Sequence, residues 1–184
     1  MKTKIALALA LGLAGMSVLP AAMADGLFIS GNVGQSDLKN GNFDKDTAFA
    51  INGGYRWGAF GLEAGYNDFG SFENKYVLDN ATNRDKLDLT GWNLGVNGKV
   101  NFAENWYVSG RAGVFRWDAD VDFASAAGRL RTDEKGTDWY AGVGVGYDVN
   151  QNFGIGLAFD RFKADGKVAE YTTNRTSVTA EYRF

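Results

Sequence analysis

An all-β fold, an eight-stranded antiparallel up-and-down transmembrane β-barrel, is predicted by three features of the sequence. Eight segments alternate apolar and polar residues with a period of two, the mark of strands with one oily and one wet face. The joints between them alternate in length, short then long. Aromatic residues gather where the segments end, as a bilayer interface selects.

The N-terminal end is read first. Lys2 and Lys4 precede an apolar run from Ile5 to Leu19, and Ala22-Met23-Ala24 forms a small-x-small cleavage site. Residues 1–24 are expected to be a signal peptide and 25–184 the barrel. The run is short for a spanning helix and ends at a cleavage site. No later stretch is long and apolar enough for a membrane helix, so strands must carry the mature protein.

The segments fall at about 26–36, 47–57, 60–69, 86–102, 106–118, 137–149, 153–163 and 173–184. Gly58-Ala59, Ala103-Glu104-Asn105 and Asn150-Gln151-Asn152 are tight turns. The other joints, 37–46, 70–85, 119–136 and 164–172, are long and polar and are expected to be loops. Turns on one rim and loops on the other describe an up-and-down barrel in an outer membrane. A count of 25 Gly against 1 Pro fits closely approaching strands rather than a disordered linker.

Faces follow from the alternation. Phe49, Ile51, Tyr55 and Trp57 share one face of the second segment, and Phe60, Leu62, Ala64 and Tyr66 that of the third. Trp92, Leu94, Val96, Val100 and Phe102 share a face of the fourth. Leu87 and Leu89 are out of phase with them, which predicts a bulge near Thr90-Gly91. Trp57, Phe60, Phe102, Trp106, Tyr147 and Phe153 stand beside the short turns, and Trp92 and Trp139 toward the loops. A lipocalin would show the same alternation with its oily face inward. The clustering of rings at the turn rim favours the membrane.

An eight-stranded barrel has room inside only for side chains. The inward ionisable set is Arg56, Glu63, Lys99, Arg111, Asp148, Asp160, Glu181 and Arg183. It is mixed in sign and is expected to form a hydrogen-bonded plug, because unpaired buried charges are costly. Register from the turns sets Gly54 opposite Glu63, Asn97 opposite Arg111 and Gly142 opposite Asp160. Glu63 is expected to bond to Arg56, Lys99 or Arg111, and Glu181 to one of the inward cations.

Other motifs reduce to structure. Gly142-Val-Gly144-Val-Gly146 alternates along a strand and precedes no helix, so it is no dinucleotide loop. Asp118, Asp120 and Asp122 have calcium-loop spacing, but Phe123 and Arg129 occupy positions that require Gly and Glu. Asn80-Ala-Thr82 and Asn174-Arg-Thr176 match a glycosylation pattern that is idle in a bacterial envelope. With no Cys and no His, disulfides, thiolate chemistry, the usual general base and the commonest transition-metal ligand are all missing. No cofactor, no metal and no nucleic-acid partner are expected; the net charge of −3 carries no basic footprint.

Val178, Ala180, Tyr182 and Phe184 alternate with polar residues at the end of the chain. This resembles the C-terminal assembly signal of bacterial outer-membrane barrels, which implies delivery by the barrel-assembly machinery. Phe60-Gly-Leu62-Glu63-Ala-Gly-Tyr66-Asn-Asp-Phe69-Gly70 and Tyr140-Ala-Gly-Val-Gly-Val-Gly-Tyr147 are similar to strand patterns of small eight-stranded barrels of the OmpA/OmpX/opacity-protein superfamily. The resemblance covers the barrel and not the peptidoglycan-binding domain of OmpA. It implies an integral protein of the bacterial outer membrane, in contact with outer-membrane lipid and lipopolysaccharide.

Members of that superfamily include adhesins, small pores and lipid-modifying enzymes, so fold does not fix function. The leading expectation is a non-enzymatic barrel that displays long loops for envelope integrity or adhesion. Any surface ligand is expected at loops 70–85 and 119–136, which carry Phe72, Tyr76, Arg84, Lys86, Phe123, Arg129 and Arg131. A narrow porin-like channel, with Tyr107, Phe115, Trp117 and Phe162 lining its upper part, is the alternative. A lipid-A-modifying enzyme ranks lower for want of a His.

Overall fold

A computed structural model describes residues 26–38, 46–78, 81–125, 128–165 and 170–184. The expected signal peptide, its cleavage site near Ala24, and Asn80 lie outside them. Eight strands follow in order: β1 (Gly26–Leu38), β2 (Asp46–Trp57), β3 (Phe60–Leu78), β4 (Ala81–Asn101), β5 (Trp106–Ser125), β6 (Gly128–Asp148), β7 (Phe153–Asp165) and β8 (Glu170–Arg183). Each pairs antiparallel with its neighbours, and β1 pairs with β8, so the barrel is closed. Closure leaves no sheet edge, which is what a strand protein needs in lipid.

The three short connections form as the turn residues dictate. Gly58 takes φ +57° in the β2–β3 turn, a conformation that favours glycine. The Asp148 amide donates to Asn105 across adjoining turns at 2.7 Å, and the Asn150 side chain accepts from the Asn152 and Phe153 amides. The ends of the chain meet where the Phe184 amide donates to the Leu27 carbonyl at 3.0 Å. Gly54 pairs with Glu63, Asn97 with Arg111 and Gly142 with Asp160.

Two expectations are corrected. Most of 70–85 and 119–136 is strand, because β3 and β4 stay paired to Leu78↔Ala81 and β5 and β6 to Ser125↔Gly128. Beyond the bilayer nothing demands an apolar outer face, so the hydrophobic alternation fades although the hydrogen-bond ladder continues. Asp118, Asp120 and Asp122 accordingly lie in β5 rather than in a calcium loop. The predicted bulge is also displaced. It lies in β3, where register shifts between Asp68 and Ser71 and Gly70 takes φ +79°. Leu87 and Leu89 need no bulge in β4. They share the inward face with Asn93 and are buried.

The barrel is radially inverted relative to a soluble protein. Outside, Leu62, Leu94, Val96, Val114, Val143 and Leu157 are each more than half exposed. An apolar girdle of this extent is the face that contacts lipid. Inside, Asn32, Asn52, Asn67, Asp160 and Arg175 are buried.

Candidate functional site

Among the described residues the fold concentrates reactive side chains in the lumen, which is layered. At the short-turn end Arg56 grips Glu181, with Nη1 donating to Oε1 at 3.1 Å and Nη2 to Oε2 at 3.0 Å. Its Nε donates to Asn97 at 3.0 Å, and its guanidinium lies 4.4 Å from the centre of the Phe28 ring. Lys99 donates to Asp148 at 2.8 Å and Glu181 at 3.2 Å, over the Tyr107 ring. Arg183 donates to Asp148 at 2.9 Å. These hydrogen bonds join β2, β4, β6 and β8, so one level of the lumen ties the barrel wall together.

The middle level is organised by Asp160. It accepts from Arg111 Nε at 2.7 Å and Nη2 at 2.6 Å, and from Arg175 Nη2 at 3.0 Å. Arg175 is wholly buried and also donates to Asn67 at 2.8 Å. Asn67 in turn donates to Asn93 at 2.7 Å. Glu63 accepts from the Tyr140 hydroxyl at 2.9 Å. Among the described residues no cation reaches Glu63 within bonding distance, contrary to expectation; Tyr140, an inward aromatic, occupies that place instead.

Above these levels the lumen turns apolar. Phe69, Phe72, Leu87, Leu89, Phe115, Trp117, Ala119, Phe162 and Ala164 form one buried cluster with the Tyr140 ring. Phe162 packs edge-on against Phe69 and Phe115 at 4.8 and 4.9 Å between centroids, and stacks on Tyr140 at 5.5 Å. Trp117 Nε1 donates to Asp138 at 2.8 Å, which fixes the upper ring. Of the aromatic residues expected in the upper lumen, Phe115, Trp117 and Phe162 are in this cap. Tyr107 is not. It lies at the opposite end, under Lys99, because β5 begins at Trp106 on the turn rim.

Arg175 is the functional side chain that the sequence reading passed over. A signal was available: it stands in phase with Ser177, Thr179 and Glu181, all on the inner face. With it the two charged levels hold, among the described residues, five cations (Arg56, Lys99, Arg111, Arg175, Arg183) and four carboxylates (Glu63, Asp148, Asp160, Glu181), while Asp138 lies above them at Trp117. Near-balance of charge suits a set of internal bonds. Between the lower and middle levels lies a cavity of about 60 Å³, lined by Asn32, Glu63, Arg111 and Glu181 among others. That is room for a few waters. The turn-side mouth opens as a recess of about 800 Å³ lined by Arg56, Lys99, Asp148 and Arg183.

The expected border aromatics all project outward. Trp57, Phe60, Phe102, Trp106 and Tyr147 are exposed at the turn rim, with Phe153 half-buried beside them, and Trp92 and Trp139 are exposed nearer the long hairpins. In the terminal strand Val178 is exposed, while Ala180, Tyr182 and Phe184 are partly so. Past the upper border, Lys135 donates to Asp118 at 2.8 Å, and that hydrogen bond raises the lysine's pKa.

An apolar outer wall, a polar lumen and two aromatic borders define an integral membrane β-barrel. The chain belongs to the outer membrane protein beta-barrel domain family, whose model matches residues 6–184, and its place is the bacterial outer membrane. No curated protein matches the sequence. Among solved structures it is similar to Neisserial surface protein A, with a TM-score of 0.61 and 14% identity over 88% of this chain and 98% of that one. It is also similar to OprG of Pseudomonas aeruginosa, with a TM-score of 0.60 and 13% identity over 89% of this chain and 98% of that one. Ail, the attachment invasion locus protein of Yersinia pestis, gives a TM-score of 0.59 and 17% identity over 88% of this chain and 100% of that one. At these identities the likeness is one of fold.

Proposed function

We propose that this protein is a non-enzymatic, sealed outer-membrane barrel that displays the tall β3–β4 and β5–β6 hairpins for envelope integrity or adhesion. The observation that carries this reading is the filled lumen: two levels of bonded charges below an aromatic cap. Solutes have no continuous water path through such a section, and the cavity beside Glu63 and Glu181 has room for only a few waters. Both lumen carboxylate sets are consumed by cations and hydroxyls, which leaves no free acid–base pair at these levels among the described residues.

Planar-bilayer recording tests the seal. The folded protein should insert without steady single-channel conductance; steady, reproducible openings would establish the channel reading instead. Incubation with lipid A, followed by mass spectrometry of the lipid, should return it unaltered, and any deacylated or newly acylated product would defeat the non-enzymatic reading. Shortening both hairpins at 73–85 and 121–131 should weaken cell-surface contact while outer-membrane levels hold.

A further inference from the structure

The outer wall carries two arginines that the lumen does not use. Arg116 on β5 and Arg161 on β7 are exposed on the lipid-facing side. Register places them together with the two upper tryptophans. Arg116 pairs directly with Trp92 of β4. Val114 pairs with Trp139 and Ala141 pairs with Arg161, so Trp139 is the diagonal same-face neighbour of both arginines. Diagonal neighbours on one face lie roughly 7–8 Å apart, within reach of long side chains. The four residues therefore form one stripe, Trp92, Arg116, Trp139 and Arg161, across β4 to β7.

The charge state of this stripe is unusual for the wall. Other outward cations described on the hairpin side are neutralised by carboxylates: Lys86 by Asp88, Lys135 by Asp118 and Lys163 by Asp165. Among the described residues neither Arg116 nor Arg161 has a hydrogen bond or ion pair. On the other half of the barrel the same border carries Gln35, which pairs with Thr47 and with Thr176, and Asp68, which pairs with Phe49 and so is the diagonal neighbour of Thr47. Among the described residues no outward cation on β1, β2, β3 or β8 stands beside them. Just inside the stripe the wall is apolar, with Val114, Val143, Leu157 and Phe159 all exposed. Trp92 is braced by Tyr66, edge to face at 5.1 Å.

Two unneutralised guanidiniums at the edge of an acyl-chain girdle, on one side only, need anions at headgroup depth. We propose that Arg116 and Arg161, with Trp92 and Trp139, form a binding site on the outer wall for the phosphate groups of a phosphorylated glycolipid in the hairpin-side leaflet. Arginine suits this ligand, since its planar fork of donors matches phosphate oxygens. The tryptophans hold the sugar–acyl boundary, and the apolar wall below takes the chains. The inference depends on the membrane placement of the barrel and is independent of what its hairpins contact.

Native mass spectrometry of the detergent-solubilised protein tests this, with bisphosphorylated lipid A and its dephosphorylated form as competing probes. The wild type should prefer the phosphorylated lipid on the order of twentyfold, from two cations near the surface. Arg116→Gln/Arg161→Gln should lose that preference, each single variant should lose part, and Lys135→Gln should keep it. Heat-modifiable gel migration verifies that each variant is folded. Equal binding of both lipids by the wild type would overturn the site, as would full preference in a folded double variant. Displacement by millimolar inorganic phosphate would also overturn it, since it would indicate a free-anion site rather than a lipid site.

Discussion

Arg56 and Glu181 stand 125 residues apart in sequence and hold each other through two parallel hydrogen bonds of 3.1 and 3.0 Å. β1 lies between their strands, so the pair spans a strand and braces the closure of the barrel. Both are buried, and Lys99 adds a second cation to the same carboxylate at 3.2 Å. Removing Glu181 should therefore strand Arg56, and Glu181→Leu is expected to cost about 3–5 kcal/mol. Arg56→Met should cost less, because Lys99 stays on the carboxylate. Arg56→Met/Glu181→Leu should cost less than the two single changes added together. Urea titrations of protein refolded in lipid vesicles measure both; strict additivity would mean that the groups are separately solvated.

Asp160 is shared by two arginines, so it should be the most sensitive residue of the lumen. Asp160→Asn leaves Arg111 and Arg175 facing each other without their bonded carboxylate, and is expected to destabilise by about 3–5 kcal/mol. Gly142 is the space that Asp160 occupies: a Cβ there would sit 2.0 Å from Asp160 Oδ1. Gly142→Ala should therefore push Asp160 off its partners and lower stability in the same direction. The temperature at which the compact gel band is lost reports each variant. A Gly142→Ala barrel as stable as the wild type would show that the carboxylate can shift freely.

Tyr140 combines a ring in the cap with a hydroxyl on Glu63. Tyr140→Phe keeps the stacking on Phe162 and removes only the hydroxyl. A loss of about 1–3 kcal/mol is expected, because Glu63 is buried and forfeits its donor. Tyr140→Leu should cost more, since the cap loses a ring as well. Equal values for the two variants would assign the whole effect to packing.

Phe184 contacts the fold through its amide to Leu27 and through its ring, edge-on to Tyr182 at 5.1 Å. Phe184→Ser should reduce the amount of protein that reaches the outer membrane, while the fraction already folded keeps near wild-type resistance to urea. Quantitative blotting of outer-membrane fractions, compared with unfolding of the purified variant, separates the two. Normal membrane levels would count against an assembly role for this residue.

The parts of the fold that sit in lipid were legible from alternation, since a bilayer forces apolar side chains outward at every second position. Register was legible too: short turns fix it, and Gly54–Glu63 and Gly142–Asp160 follow. What escaped was the portion where solvent replaces lipid. Residues 73–78 and 81–85 keep strand pairing with no apolar stripe to announce it. Leu87 and Leu89 were misleading because an apolar residue can face inward as well as outward, and the cap uses them inward. The partner of Glu63 escaped for a different reason. Charge suggests a cation, but Tyr140 is closer, and only the packed section decides between them.

The four hairpin-building strands β3 to β6 run 19 to 21 residues, against 12 to 14 for β1, β2, β7 and β8. Because the long ones are consecutive, the surplus forms a half-cylinder standing on one side of the rim. Traffic toward the capped end is thereby made directional. Among the described residues, a large molecule arriving over β7, β8, β1 and β2 meets shorter strands, whereas one arriving over β3 to β6 meets a screen. Antibodies or phage raised against the exposed protein should consequently divide into two sets, one for the back of the screen and one for its hollow. Neither set should block the other.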